Sequence, residues 1–250
     1  MIQKKPNIVI FNPDQWRGDM LGYLGYPGAQ TPNLDNIIKE DGHLYVFYDG
    51  NQSIFNSHGT FVNELTRYDL SENFRNSKNI YDQFSNLYKG DDGTEFVSKG
   101  PEGPEVRINS YNSQKDKQED IVFQIKRQIK DYGLSPGDIG ILNLSNEGAT
   151  GLRELIEVKA QYRVGPADDQ NVWDSDSIIL MDSVNRIKGL EKPIIFMTNL
   201  SNLLSSDLTD EQKKQELYVA MSRAKYELHI FGLDQEIKML KSLIGSSKVN

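Results

Sequence analysis

Short apolar runs alternate with segments of helical periodicity along most of the chain. The runs have the length of strands, and several are continuous rather than alternating, which is typical of parallel strands buried on both faces. We predict strands at Asn7–Phe11, Leu44–Tyr48, Val106–Ile108, Ile139–Leu144, Ile178–Met181, Ile194–Met197 and Leu228–Phe231. Strands that alternate with helices indicate a three-layer α/β domain.

Two of the intervening segments carry clear helix signals. One has an apolar stripe of Ile121, Val122, Ile125 and Ile129 and is predicted to end at Gly133, because glycine can adopt the left-handed conformation of a helix C-terminus. The other begins with the capping pair Thr209 and Gln212. Its apolar side is predicted to consist of Leu217, Ala220, Met221 and Ala224. Glycines and aspartates at 89–104 predict a long exposed loop.

Composition narrows the function classes. The chain has 250 residues, a formal net charge of -8 and no cysteine, so disulfides, cysteine metal sites and thiol nucleophiles are excluded. No apolar stretch reaches the roughly 20 residues of a membrane-spanning helix, and the first residues lack the apolar core of a secretion signal, which predicts no membrane association and a cytoplasmic location. The net charge argues against tight binding of nucleic acid through its phosphates, which needs clustered lysine and arginine, but it does not exclude a local basic groove.

Four stretches, in this order, resemble UvrD/Rep-like superfamily 1 helicases. They are LYVFYDGNQSIF (Leu44–Phe55), LSENFRNSKNI (Leu70–Ile80), DSVNRIKGLEKPIIF (Asp182–Phe196) and ELYVAMSRAKYELHIFG (Glu216–Gly232). The resemblance implies that residues 43–250 form the helicase C-terminal domain, which is the second RecA-like domain. Its fold is α/β, a RecA-like parallel sheet with helices on both faces.

The resemblance also implies roles in an ATP site. In the family, the glutamine of a D-x-x-Q pair, here Asp49 and Gln52, contacts the γ-phosphate, and the arginine of an N-[FY]-R triplet, here Arg75, reaches it. An arginine in the position of Arg223 acts as an arginine finger that stabilises the charge of the transferring phosphoryl group. The plain alternatives are a polar turn after a strand for the D-x-x-Q pair and surface arginines for the other two.

The third stretch matches the K-G-L-E signature of the family. Lys188, Gly189 and Glu191 stand in its positions, and the resemblance implies that the glycine lets the backbone approach the phosphates while the glutamate approaches the ribose. This chain has Asn185 where the family often has histidine. Single-stranded DNA or RNA is the partner that the resemblance implies.

The sequence lacks two motifs of a complete ATPase of this family. Neither G-x-x-x-x-G-K-[ST], which cradles the phosphates, nor the acidic pair that holds Mg²⁺ precedes the D-x-x-Q pair. The expected cofactor is therefore ATP with Mg²⁺ in an incomplete site. We predict no hydrolysis by this chain alone, and a separate chain carrying the first RecA-like domain as a partner.

The beginning of the chain resembles a different family. Lys5–Ile37 are similar to the opening strand and loop of a sulfatase in the alkaline-phosphatase-like superfamily, in which the positions of Asp14 and Gln15 bind a metal. Oxygen ligands of this kind suit Ca²⁺. The cysteine or serine nucleophile of the family's [CS]-x-P-x-R motif is absent.

We therefore predict a sulfatase-like fragment at residues 1–37 that lacks a complete site. A sulfuric-ester hydrolase fragment and a non-catalytic interaction remnant are the alternatives to the helicase hypothesis. A gene fusion, a degenerate locus and an assembly error would each explain why a sulfatase-like segment precedes a helicase-like one.

Overall fold

The computed structural model describes residues 30–33, 36, 71–87, 96–145, 150–187 and 189–245. By its contacts the chain divides into two units, Met1–Gly50 with Phe55–Tyr68 and Asn51–Ile54 with Asp69–Asn250. In the first unit, Pro32, Asn33 and Asn36 are helical. The predicted strands Asn7–Phe11 and Leu44–Tyr48 lie outside the described residues, and the predicted boundary between 1–37 and 43–250 stays a prediction.

The second unit is built on a six-stranded parallel sheet. Its strands lie in the order β3-β8-β7-β4-β6-β5, and a separate parallel pair joins β1 to β2. The strands are β1 (Glu72–Asn73), β2 (Val97–Ser98), β3 (Arg107–Tyr111), β4 (Ile139–Asn143), β5 (Arg163–Gly165), β6 (Ile178–Ser183), β7 (Lys192–Thr198) and β8 (Ala224–Leu233). This sheet confirms the predicted α/β class and is consistent with a RecA-like domain.

Helices connect the strands. The α-helices are α1 (Lys78–Phe84), α2 (Gln114–Lys130), α3 (Thr150–Leu155), α4 (Asn171–Asp174), α5 (Asp210–Met221) and α6 (Asp234–Ile244). A π-helical segment, Ile156–Ala160, continues α3, and short 3-10 turns lie at Ser85–Leu87, Pro136–Asp138 and Leu200–Leu204. None of the described helices is both long enough and apolar enough to cross a membrane.

Side chains of successive residues in the central strands point to opposite faces of the sheet and pack into two separate hydrophobic cores. In β6, for example, Ile178 and Leu180 pack on one face while Ile179 and Met181 pack on the other. Helices α1, α5 and α6 cover the first face, and α2 with α3 and its π-helical continuation covers the second. Because both faces are buried, the middle residues of β4, β6 and β7 are apolar on both sides, which explains the continuous runs in the sequence.

The end of helix α5 differs from the prediction. The helix starts at the predicted cap, since the Thr209 hydroxyl accepts from the backbone N–H of Gln212, but it ends at Met221. Ala224, predicted on its apolar side, instead begins β8 and pairs with Lys192 of β7. The backbone groups of the segment are needed for the sheet, so the helix stops and Arg223 lies in the turn between helix and strand.

The loop predicted at 89–104 is also only partly right. Residues 88–95 lie outside the described part, but Val97–Ser98 pair with β1 and the following residues pack tightly. A Cβ atom added to Gly100 would lie 2.0 Å from the Asn76 carbonyl oxygen, which no real contact allows. The glycines there permit close packing as well as a turn.

Candidate functional site

The segment that carries Arg75 is anchored to the start of β8. The Asn76 side-chain amide is buried and donates to the carbonyl oxygens of Ser222, at 3.1 Å, and Ala224, at 2.6 Å. The backbone N–H of Ser77 donates to the Lys225 carbonyl at 2.8 Å. These bonds bring together segments that are almost 150 residues apart in sequence.

Asn73 shapes the turn in which Arg75 lies. Its Oδ1 accepts from the backbone N–H groups of Arg75, at 3.1 Å, and Asn76, at 3.0 Å. Its Nδ2 also donates to Oδ1 of Asn76 at 3.0 Å. An asparagine that bonds the backbone two residues ahead is a common turn-former, so the first residue of the N-[FY]-R triplet holds the third in place.

Glu191 lies at the centre of a group of charges. Its Oε2 is 3.3 Å from Nε of Arg75, and its Oε1 is 2.6 Å from Nζ of Lys225. All three side chains are partly exposed, so water screens these pairs and each stabilises the fold little. One carboxylate therefore holds two cations at an accessible surface.

Arg223 is buried, with 2% of its surface exposed. Its Nε donates to the Val219 carbonyl at 3.0 Å, one terminal nitrogen to the Ser222 hydroxyl at 2.9 Å and the other to the Leu190 carbonyl at 3.5 Å. A buried guanidinium needs such partners, because leaving its donors unpaired away from water is costly. In this conformation the guanidinium ties the K-G-L-E loop to the end of α5.

Gly189 has a φ of +89° and an exposed backbone, and a Cβ atom added there would meet nothing within 4 Å. The glycine is required by its left-handed conformation and not by crowding. Its neighbours bind the two arginines, since the Leu190 carbonyl accepts from Arg223 and the Glu191 carboxylate pairs with Arg75.

Four of the predicted site residues thus lie in one region. Arg75, Gly189, Glu191 and Arg223 meet at the amino-terminal ends of β7 and β8, although they come from three distant parts of the sequence. Asp49, Gln52 and Lys188 lie outside the described residues, as do the sulfatase-like pair Asp14 and Gln15. The roles of all of these residues in an ATP site stay predictions.

The convergence of two arginines has a local cause. Two arginines held near one another repel. Here the Glu191 carboxylate neutralises Arg75, and two backbone carbonyls and a hydroxyl accept hydrogen bonds from Arg223. Sequence reasoning missed Lys225 and Asn76, whose contacts across the fold leave no local pattern.

The described residues of the site supply no cluster of metal ligands. Within the described part of the chain, no group of three or more histidines, aspartates or glutamates could hold a metal ion. What the region offers is cationic side chains beside an exposed glycine backbone. Such groups can hold phosphate oxygens, because arginine and lysine form short charge-assisted hydrogen bonds with them.

Comparison with known proteins gives two partial likenesses. No protein-family model matches the chain. A 36-residue segment is 58% identical to an ulvan-active sulfatase of Formosa agariphila, covering 14% of this chain and 7% of that protein. The chain is also similar to a solved structure described as the C-terminal domain of a possible DNA helicase from Lactobacillus plantarum WCFS1, with a TM-score of 0.46 and 17% identity over 68% of this chain and 96% of that one.

Proposed function

We propose that this chain supplies one side of an ATP site in a helicase-type motor, where its arginines sense the γ-phosphate. The observation that carries the proposal is that Arg75, Glu191, Lys225 and Arg223 meet beside Gly189 at the amino-terminal ends of β7 and β8. Arg75, Glu191 and Arg223 belong to three segments that resemble three motifs of one ATP site. Residues without a shared role would have no reason to meet in this way.

In this proposal the Glu191 carboxylate competes with the γ-phosphate for the same cations. It pairs with Arg75 and Lys225 in the structure. A γ-phosphate carries more negative charge and more acceptor oxygens than a carboxylate, so it would draw Arg75 away from Glu191. The released glutamate can then accept from another donor, such as a ribose hydroxyl.

Arg223 would bind the phosphate only after it gives up part of its present hydrogen bonding. Its partners include two carbonyl oxygens and a hydroxyl, which are neutral acceptors, and an anionic phosphate would be a stronger acceptor than any of these three. Because Arg223 is buried, it must leave Leu190 to reach the nucleotide. The exposed backbone at Gly189 lets the loop approach the phosphates without a side chain in the way.

The other side of the site must come from elsewhere. The sequence contains no phosphate-cradling G-x-x-x-x-G-K-[ST] motif, so the proposal assigns that motif and the Mg²⁺ ligands to a separate chain carrying the first RecA-like domain. Gln52, Asp49 and Lys188 complete this chain's contribution. Single-stranded DNA or RNA is the proposed substrate of the assembled motor.

The test compares ATP with ADP. We expect the chain to bind ATP more tightly than ADP in a calorimetric titration, and Arg75→Ala to weaken ATP binding about tenfold while leaving ADP unchanged. Arg186→Ala is the matched control, since Arg186 is equally exposed and also pairs with carboxylates. Equal affinities for ATP and ADP, or an equal loss in the control, would refute γ-phosphate sensing.

Turnover gives an independent check. Without a phosphate cradle or Mg²⁺ ligands, the chain alone should hydrolyse ATP no faster than buffer, with or without single-stranded DNA. Hydrolysis that is lost in Arg223→Ala would show that the chain holds a complete site.

A sulfatase-like role is the second candidate, because the 36-residue match to the ulvan-active sulfatase supports it. That match spans 7% of the length of that enzyme. The chain has no cysteine to serve as nucleophile, so we expect no release of sulfate from an aryl sulfate. Release that depends on Asp14 would favour this candidate over the helicase proposal.

A further inference from the structure

A cavity of about 380 Å³ lies on the α2 face of the sheet, at the amino-terminal ends of β3, β7 and β8. Its walls include the apolar side chains of Leu134, Pro193 and Ile194. None of the residues discussed for the ATP site lines it. A volume of this size is in the range of small-molecule sites.

A buried polar network forms one side of the cavity. Oε1 of Glu227 is 2.7 Å from Nε2 of His229 and accepts from the Gln128 amide at 3.1 Å. Burial opposes ionisation of Glu227, but the hydrogen bond and charge of His229, the Gln128 bond and the charge of Arg107 together lower its pKa. Glu227 is therefore a carboxylate at neutral pH.

The second oxygen of this carboxylate is available to a ligand. Among the described residues, Oε2 of Glu227 has no hydrogen-bond partner. Some unpaired side-chain atoms elsewhere in the fold are completely buried, but Oε2 of Glu227 is not one of them and can be reached by solvent. Glu227 and Gln128 both line the cavity. An anionic acceptor beside an amide, among apolar walls, selects a ligand that can donate a hydrogen bond.

Two tyrosine rings border the cavity and remain exposed, Tyr132 at 54% and Tyr226 at 50%. A register shift in the β7–β8 pairing, where Lys192 faces Ala224 but Ile194 faces Glu227, adds one residue to β8. Such a bulge re-aims side chains, which explains why the neighbours Tyr226 and Glu227 both line the cavity. Exposed rings at a cavity mouth offer flat surfaces for stacking.

Positive charge surrounds the mouth. Arg107 lines the cavity, and Arg127 donates to the Tyr132 hydroxyl at 2.8 Å with its guanidinium carbon 5.4 Å from the ring centre. These cations repel a cationic ligand and attract an anionic group outside the cavity. The ligand should therefore be a flat ring that donates a hydrogen bond at its inner end and carries an anion at its outer end.

We propose that this cavity binds a nucleobase with an exocyclic amine, such as adenine or cytosine, whose amine donates to Glu227, whose ring stacks on Tyr226 or Tyr132, and whose phosphate meets Arg107. The base can belong to a free nucleotide or to a single strand of nucleic acid. This site is distinct from the γ-phosphate site and does not depend on it.

Matched pairs of nucleotides test the inner contact. AMP differs from purine riboside monophosphate only in its exocyclic amine, and CMP differs in the same way from pyrimidin-2-one riboside monophosphate. In calorimetric titrations of the full chain, AMP and CMP should bind about tenfold or more tightly than their partners, because the partners have no N–H group on the ring to donate to the Glu227 carboxylate. Equal affinity within both pairs would overturn the proposal.

Variants test each wall separately. Tyr226→Ala should weaken AMP binding roughly tenfold while Tyr226→Phe retains it, since stacking needs only the ring. Phe123→Ala is the control, because Phe123 is an exposed aromatic residue on α2 outside the cavity. Arg107→Ala should weaken AMP but leave adenosine unchanged. Equal losses in Phe123→Ala, or binding indifferent to Tyr226, would contradict the assigned site.

The source of the base is decided by competition. Labelled AMP is bound to the chain and then displaced either by unlabelled AMP or by single-stranded oligo(dA). If oligo(dA) displaces the label at a lower concentration than unlabelled AMP, the natural ligand is a base of a strand. If it needs the same or a higher concentration, the natural ligand is a free nucleotide. Displacement by an abasic strand of the same length equal to that by oligo(dA) would overturn the proposal. Arg75→Ala should change neither result, so a failure here is separable from a failure of the ATP-site proposal.

Discussion

Arg223 shows how one residue can match a catalytic motif and yet be held by its own fold. Its guanidinium is buried and donates to the carbonyls of Val219 and Leu190 and to the Ser222 hydroxyl. The sequence pattern predicts which arginine matters, because the motif is local. It does not predict that Arg223 lies beyond the helix, since that depends on strand pairing between Ala224 and Lys192.

This burial predicts a stability effect. Arg223→Lys keeps the charge but cannot make three bonds in a fixed plane, so the free energy of unfolding should fall by on the order of 1–3 kcal/mol. Arg75→Lys is the matched control, with an expected loss of about 0–1 kcal/mol because its ion pair with Glu191 is exposed. Urea unfolding followed by circular dichroism measures both. Equal losses would mean that the bonds of Arg223 are not maintained in solution.

At the scale of elements, the loop before β3 completes the start of helix α1. The backbone N–H groups of Lys78 and Asn79 donate to the carbonyls of Pro101, at 2.7 Å, and Glu102, at 3.2 Å. Ser77 stands at the N-cap position of the helix, but its side chain donates to the Tyr226 carbonyl and does not cap the helix. The loop therefore fixes α1, and with it the turn that carries Arg75.

Gly103 is the position that makes this packing possible. Its φ is +71°, and an added Cβ atom would lie 2.4 Å from Cβ of Ser77. Gly103→Ala should lower the free energy of unfolding by roughly 2–5 kcal/mol, because left-handed strain and overpacking act together.

The control for this prediction is Gly133→Ala. Gly133 also has a φ of +71°, but nothing lies within 4 Å of its added Cβ atom, so only the left-handed strain of about 1–2 kcal/mol should appear. The difference between the two variants in urea unfolding isolates the contact with Ser77. If Gly103→Ala lowers the free energy of unfolding no more than Gly133→Ala does, the loop can move away from Ser77 at no energetic cost.

The elements that the sequence predicts well are those with strong local patterns. The continuous apolar runs of β4, β6, β7 and β8 are confirmed, because burial on both faces demands them. Strand β5 was missed, since its three residues are too short for a pattern and Arg163 is exposed. The cavity was missed as well, because it depends on a bulge in β8 that pairing alone reveals.

At the scale of the whole molecule, both described cores are formed by residues that follow the sulfatase-like segment in the sequence. Every residue of the two described hydrophobic clusters lies between Ile80 and Ile244. The six strands of the sheet likewise lie between Arg107 and Leu233. A parallel sheet with both faces covered is a self-sufficient architecture, so its stability should not require the first residues of the chain.

Deleting residues 1–37 should therefore leave one cooperative thermal transition, with a midpoint within a few degrees of that of the full chain. Since the deletion removes none of the described apolar contacts, the expected loss is below about 1 kcal/mol, which corresponds to only a few degrees for a domain of this size. Added Ca²⁺ should leave the midpoint of the full chain unchanged, because Asp14 and Gln15 alone supply too few of the six to eight oxygen ligands that Ca²⁺ takes. Circular dichroism melts with Ca²⁺ or a chelator measure both effects. A rise with Ca²⁺ that disappears in Asp14→Ala would instead establish a working metal site in the sulfatase-like segment.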